Sequence, residues 1–405
     1  MSNSPRLLFI ILDGFDFQYM QLLRKLPALI RPGLQHELAV PGGFGVRGML
    51  FSGTYPETNG LFTDFFYQPT QSRFRIFRKL PESISRRHLP GIVREIASKS
   101  IRLLTGRPAY WPDNVNAQRL SWFDLSPNLT PLGRPACYNG VPDLFTVLKE
   151  RGIRCIKLSN KKAGRLPALR HYMRNTPERP CFFWLHDVRL DHAGHRYGPD
   201  SPETASIVKK LDRDLTQFIS ECLETIPNLS VLIASDHGMN PVHKKLDLSQ
   251  LLEKLHLKEG KDYLLFLDST AARFWFSDGR DGKAARKVSG LLETIEDGTI
   301  LRKEESKQLH IDFSDNRYGD LTFYVKPGIL ILPNYFQHVE VKGMHGYLKG
   351  QSPGIFLLRS DRKHAKKENA ELVDVFPTLL NLFDIPSPPS CQGSSLIEET
   401  AITAV

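Results

Sequence analysis

The sequence predicts an α/β fold: a largely parallel central sheet with helices on both faces, plus a small α+β subdomain. Three observations predict it. Short continuous apolar runs recur along the chain, as expected of strands buried on both faces. Amphipathic helical stretches separate several of these runs, which implies βαβ crossovers. Asp and His residues stand just beyond the ends of the runs, where open α/β sheets place their ligand-binding groups.

The elements follow in order. Leu7–Leu12 is a buried strand that runs into Asp13-Gly14. Pro142–Arg151 has helical spacing through Leu144, Val147 and Leu148, and Cys155–Leu158 is the next strand. Cys181–Leu185 is a third, and Ser206–Thr225 is a helix with Ile207, Leu211, Leu215, Phe218, Ile219 and Cys222 on one face. Leu229–Ala234 is a strand that ends at Ser235-Asp236-His237-Gly238. Gly354–Leu358 is a late strand, and Leu372–Leu382 an apolar helix.

Two stretches break this rhythm within what reads as one domain spanning 1–405. Residues 68–135 are basic, aromatic and proline-bearing, and read as an insertion. From Leu89 to Leu104 the apolar spacing is helical and the opposite face basic. Such a helix suits a lid over a site, a contact with an anionic membrane surface, or plain packing against the domain. Residues 243–340 carry short strands (Tyr263–Leu267, Ala272–Phe276, Leu321–Val325) and a charged helix near Lys283–Glu293, which read as the α+β subdomain.

Composition narrows the class. The 405 residues are 41% hydrophobic and 24% charged, an ordinary globular balance. No apolar run approaches the about 18 residues of a spanning helix, and Leu7–Leu12 is too short for a signal-peptide core. The expectation is a soluble, cytoplasmic protein. Five scattered cysteines, with no C-x-x-C pair, argue against a disulfide framework or a cysteine zinc site. Lys and Arg total 54 against 44 Asp and Glu, and Ser72 to Arg107 holds ten basic residues against two acids. That segment attracts anions. No nucleic-acid-binding motif accompanies it, so no specific nucleic acid is expected.

The chemistry lies in three carboxylates and three imidazoles: Asp13, Asp191, Asp236, His195, His237 and His345. Asp191 and His195, four apart, share one face of a helical turn. His345 sits in the glycine-flanked loop Gly343-Met344-His345-Gly346. Mixed oxygen and nitrogen ligands suit Zn²⁺ or Mn²⁺, and six fit two ions sharing a site, as in phosphoryl displacement.

The ordered set Asp13-Gly14, Ser52-Gly53-Thr54-Tyr55-Pro56-Glu57, Asp191-x-x-x-His195, Asp236-His237-Gly238-Met239 and Gly343-Met344-His345-Gly346 resembles the alkaline phosphatase superfamily. Within it, the set resembles the type I phosphodiesterase/nucleotide pyrophosphatase branch, from about residue 6 to about 395, outside the basic insertion. Tyr197-Gly198-Pro199-Asp200 is also similar to that branch. The resemblance implies an alkaline-phosphatase-like fold and a metal-dependent hydrolase of phosphodiester or pyrophosphate bonds in a small phosphorylated substrate. It implies that Asp191, His195 and His345 hold one ion, and that Asp13, Asp236 and His237 hold the other.

One position departs. The superfamily's Thr, Ser or Cys nucleophile falls here on Gly43, with Arg47 four residues on as a candidate anion clamp. Glycine forms no covalent intermediate. Three readings follow: direct attack by a metal-activated hydroxide, recruitment of Ser52 or Thr54, or a non-catalytic protein that keeps the metals and a phosphorylated ligand. A phosphomonoesterase or sulfatase of the same superfamily is a further alternative. Phe66 and Tyr67, in an aromatic run before the insertion, are candidate rings for the leaving group.

Overall fold

The computed structural model describes residues 5–31, 33–40, 46–81, 83, 88–107, 109–126, 139–159, 180–226, 228–348, 352–365, 367 and 369–398. Arg6–Leu12 is an interior strand of a seven-stranded sheet, flanked by Leu229–Ala234 and Cys181–Asp187. From edge to edge the strands are Ala370–Glu371, Leu34–Ala39, Gly354–Arg359, Leu229–Ala234, Arg6–Leu12, Cys181–Asp187 and Arg154–Ser159. The last four are mutually parallel. Gly354–Arg359 runs antiparallel to both its neighbours, so the sheet is mixed but parallel where the chemistry gathers.

The first strand shows why such runs read as apolar throughout. Leu7, Phe9 and Ile11 enter the core on one face, and Leu8, Ile10 and Leu12 the core on the other. Helices Val46–Ser52, Leu144–Glu150 and Val375–Asn381 cover the first face, and Leu26–Ile30 and Pro202–Thr225 the second. Alternate side chains of a strand point to opposite faces, so a covered sheet needs apolar residues at every position. The long helix Pro202–Thr225 starts with Ser201, whose hydroxyl accepts from Thr204 N–H at 3.2 Å, and with Pro202 in its first turn. It buries Val208, Leu211, Leu215, Phe218, Ile219 and Cys222. Its Asp212 carboxylate accepts from the N–H groups of Arg24, Lys25 and Leu26, which fixes the start of the short helix Leu26–Ile30.

The expected helix at Leu372–Leu382 is a 3₁₀ turn, Leu372–Asp374, followed by the helix Val375–Asn381. The strand Leu34–Ala39 has no counterpart in the sequence reading. Its Gln-His-Glu centre is half exposed, so it carries no continuous apolar signal.

The second unit is a four-stranded antiparallel sheet in the order Tyr263–Leu267, Ala271–Phe276, Leu321–Val325, Gly298–Ile300. Helix Lys283–Glu293 packs Ala284, Ala285, Val288 and Leu292 into its core. The two interrupting stretches, read from sequence as separate additions, share that core. Phe74, Ile101, Trp111, Leu120 and Phe123 of the basic stretch pack with Leu265, Phe266, Phe274 and Trp275. The basic stretch enters and leaves through a two-stranded ribbon, Phe65–Tyr67 paired with Phe123–Leu125. Its aromatic side chains need an apolar partner face, and the subdomain supplies one.

A buried ion pair ties the ribbon down. Arg273 is fully buried, and its Nε donates to Asp268 Oδ2 at 2.9 Å and its Nη1 to Phe65 O at 2.7 Å. Arg273→Met leaves Asp268 buried and without its counter-ion. It is expected to cost about 3–5 kcal/mol in urea denaturation, and Arg273→Met with Asp268→Leu to recover most of that loss. A single-variant cost within error of zero would remove the pair from the anchoring of the ribbon.

Candidate metal centre

The parallel strands end level with one another. Leu12 lies opposite Asp187, and Ile11 opposite Ala234, so three chain segments turn outward at one rim. Asp13 is the first residue past its strand. Its N–H donates to Asp187 O at 2.9 Å, and its carbonyl accepts from Asp191 N–H at 3.1 Å. The helix Arg189–Tyr197 therefore begins against the strand end and presents Asp191 and His195 one turn apart. Gly14 permits this contact. Its φ is +70°, and a Cβ there would stand 2.9 Å from Asp191 Cα.

Asp236 and His237 leave the neighbouring strand in a stitched loop. Phe15 N–H donates to Ser235 Oγ at 3.1 Å, and that hydroxyl donates to His237 O at 2.6 Å. Asp16 Oδ2 accepts from Met239 N–H at 3.3 Å. His345 arrives from far along the chain because Gly343–Met344 pairs antiparallel with Asn240–Pro241. The same segment is tied to the helix: His195 Nδ1 donates to Gly343 O at 2.8 Å, and Lys342 N–H to His195 O at 2.8 Å. With Nδ1 so engaged, His195 turns Nε2 toward Asp191 Oδ1, 3.1 Å away. His237 follows the same logic. Its Nδ1 donates to Gly238 O at 2.9 Å, and its Nε2 lies 3.3 Å from Asp13 Oδ1 and 3.9 Å from Asp236 Oδ1.

All six residues singled out from the sequence thus meet at one rim. Two trios place their ligand atoms within 4.8 Å of one another: Asp13, Asp236 and His237, and Asp191, His237 and His345. His237 belongs to both. His195 stands beside Asp191, and His345 Nε2 is 3.7 Å from the same carboxylate oxygen. That oxygen, Asp191 Oδ1, is buried and accepts no aligned hydrogen bond. An orphaned carboxylate oxygen facing two imidazoles, in a mixed oxygen and nitrogen donor set, suits a divalent cation.

The charges are strained against one another. Burial raises Asp236, and the adjacent Asp13 carboxylate adds to this, up to about 6. Burial also opposes a charge on His237, but Asp236 and Asp13 outweigh it and push the imidazole up to about 10. Burial disfavours the Asp13 anion, yet hydrogen bonds from His186 and His237 hold it well below the carboxylate range. Burial, with the charges of His237 and His195, drives His345 well below its ordinary value.

His186 is a rim residue that the sequence reading passed over. Its Nε2 lies 2.8 Å from Asp13 Oδ2. The continuous apolar run ends at Leu185, whereas the strand continues through Asp187. A histidine directly after the apolar run, five residues before Asp191, is the sequence signal for it. Arg47 lies in the helix Val46–Ser52, and its charge is a minor opposing influence on His186, where burial disfavours the proton but the hydrogen bond and charge of Asp13 raise the pKa on balance. Gly43 lies outside the described residues.

Ser52 and Thr54 are poorly placed as substitute nucleophiles. Both are fully buried, Ser52 Oγ is 2.6 Å from Thr54 Oγ1, and Ser52 Oγ donates to Gly48 O at 2.7 Å. Phe66 and Tyr67 are engaged in subdomain packing: Tyr67 stacks on Trp275 at 5.5 Å, and Phe66 lies 6.5 Å from Tyr318.

A model of the family described as type I phosphodiesterase/nucleotide pyrophosphatase matches residues 7–348. Human ectonucleotide pyrophosphatase/phosphodiesterase family member 5 is 28% identical over 209 residues, 49% of this chain and 41% of that protein. Human family member 7 is 27% identical over 257 residues, 60% of this chain and 50% of that protein. The chain thus spans about half the length of these curated relatives. Among solved structures, an inactive variant of murine ectonucleotide pyrophosphatase/phosphodiesterase 5 in complex with AMP superimposes with a TM-score of 0.68 at 16% identity. The match covers 98% of this chain and 100% of that one. The human counterpart gives 0.70 at 16% identity, covering 97% and 100%. At that identity the likeness fixes the fold, which is alkaline-phosphatase-like.

The charge pattern predicts proton release on metal binding. At pH 8 the metal-free chain holds His237 protonated, because its pKa is raised to about 10. A ligating imidazole is neutral, so Zn²⁺ binding at pH 8 is expected to release about one proton from this group. Calorimetry in two buffers of different ionisation enthalpy measures it. Affinity is expected to fall as the pH drops through about 6, where Asp236 takes up a proton. Binding at pH 8 without net proton release would remove His237 from the ligand set.

Proposed function

The chain belongs to the type I phosphodiesterase/nucleotide pyrophosphatase family, and from that premise we propose that it hydrolyses a phosphodiester or pyrophosphate bond in a small, nucleotide-like substrate. The observation that carries the reading is the pair of ligand trios joined at His237. In this reading Asp13, Asp236 and His237 hold one divalent ion, Asp191, His195 and His345 a second, and the ions are Zn²⁺ or Mn²⁺. When bound, they supply Lewis-acid neutralisation of the phosphoryl oxygens.

The chain's own side chains do the remainder. His186 fixes one oxygen of Asp13 and so orients the other. Arg47 offers a planar guanidinium to a non-bridging phosphoryl oxygen as charge develops there. With glycine at 43 and the hydroxyls of Ser52 and Thr54 engaged internally, the attacking group is water. The water oxygen bonds to phosphorus as the P–O bond to the leaving group breaks, so the products are a phosphomonoester and the released alcohol or phosphate, whose oxygen takes up one proton of the water. We propose a reducing, cytoplasmic compartment for this chemistry, since the five cysteines are scattered and form no C-x-x-C pair.

Glycine at position 43 also favours a second reading, a protein that binds metal and a phosphorylated ligand without turning it over. One assay separates the two. Bis(4-nitrophenyl) phosphate is expected to be hydrolysed with added Zn²⁺ or Mn²⁺, and His345→Ala or Asp236→Asn to lose about 10²-fold or more of that rate. Equal background rates in parent and variants, with AMP binding retained by the parent, would establish the binding protein instead. Faster turnover of 4-nitrophenyl phosphate or 4-nitrophenyl sulfate than of the diester would move the assignment to a monoesterase or sulfatase.

A further inference from the structure

Helix Gly91–Thr105 in the basic stretch turns apolar residues both inward and outward. Ile101 is buried, and Ala97 packs partly against the subdomain core. On the far side Ile92, Ile96 and Leu103 are 70%, 58% and 86% exposed, and Leu104 is 79% exposed. Ile92, Ile96, Lys99 and Leu103 follow one another at spacings of four, three and four, so they form a single row along the helix. Core packing explains the inner face and leaves this outer row unexplained. The helix is 15 residues, or about 22 Å, long.

The surroundings of the row are cationic. The helix carries Arg94, Lys99 and Arg102 against one acid, Glu95. Along its flank runs a groove of about 360 Å³ lined by Arg94, Lys99, Arg102 and Tyr110, and by the acids Glu95 and Asp113. Arg94 and Lys99 have acidic neighbours, Asp113 and Glu95, at 2.7 Å each. Arg102, in the last turn of the helix, adds a third cation, and Arg107 beyond it lies 3.7 Å from the Asp124 carboxylate.

We propose that this face docks on an anionic lipid surface, with the aliphatic row entering the acyl boundary and the groove taking a lipid phosphate. The commitment to lipid rests on charge and shape together. Protein partners are usually anchored by aromatic or Arg side chains in complementary pockets, whereas this face is a convex aliphatic ridge. An aliphatic ridge bordered by Lys and Arg, with Tyr at its margin, matches the boundary between headgroups and acyl chains. The inference does not depend on the metal centre, because none of these residues belongs to it.

Sedimentation with vesicles tests it on the full chain. The protein is expected to bind phosphatidylcholine vesicles containing about a third phosphatidylglycerol at least about tenfold more tightly than pure phosphatidylcholine. Raising the salt should weaken that binding. Ile96→Asp with Leu103→Asp should abolish it. Lys99→Glu with Arg102→Glu should remove the preference for anionic lipid. Both pairs are exposed, so matching circular dichroism and melting curves are expected. Absence of binding to anionic vesicles, or binding unchanged in both variants, would overturn the proposal. So would light scattering that shows a dimer of the parent dispersed by the Leu103→Asp pair, since the face would then join two copies of this chain.

Discussion

His237 and His345 stack with ring centroids 3.6 Å apart and planes 8° apart, and two imidazolium charges at that separation repel strongly in a buried site. The protein resolves the conflict by asymmetry. His237 faces Asp13 and Asp236 and holds its proton. His345 faces the other two histidines and gives its proton up. Much of the rest of the fold serves to keep this pair together. The two rings belong to loops more than a hundred residues apart, and their bridge is the two-residue pairing of Gly343–Met344 with Asn240–Pro241. That pairing is itself clamped by His195, which donates to Gly343 and accepts from Lys342. A parallel sheet with level strand ends gives these loops a common base.

The same constraint explains what the sequence revealed. Ligand residues at strand ends are recognisable because parallel strands are apolar at every position, so an acid or imidazole after one stands out. Asp13, Asp236 and His237 were legible for that reason, and Asp191 with His195 from a four-residue spacing. Their meeting with His345 depends on a long-range pairing, which no local pattern specifies. His186 was missed because it lies inside a strand, where the apolar run had seemed to stop. The strand Leu34–Ala39 was missed for the opposite reason. It joins the sheet near its edge, where half-exposed polar residues weaken the strand signal.

The basic stretch shows composition failing as a guide to packing. Read as charge, it looks like a separate solvated insertion. Its Phe74, Trp111 and Phe123 instead complete the core of the subdomain, and Arg273 bonds to the carbonyl of Phe65 at the ribbon where the stretch begins. Burying a guanidinium and a carboxylate is costly, and the return is directional: Asp268 and Phe65 O together fix where the guanidinium lies. The consequence is that helix Gly91–Thr105, with its exposed aliphatic row, is packed against that core on its inner side.

The glycine at 43 bears differently on the metals and on the covalent step. A glycine supplies no hydroxyl for a covalent intermediate. Keeping three carboxylates and three imidazoles at one rim is another matter. Without a cation, Asp191 Oδ1 stays buried and unbonded, and Asp236 is pressed toward neutrality by burial and by Asp13. Those strains favour any substitution that removes a ligand, unless a divalent ion offsets them when it binds. All six groups stand together, with Gly14 preserving a contact that a single methyl group would block. That combination is what one expects of a site that holds divalent metal.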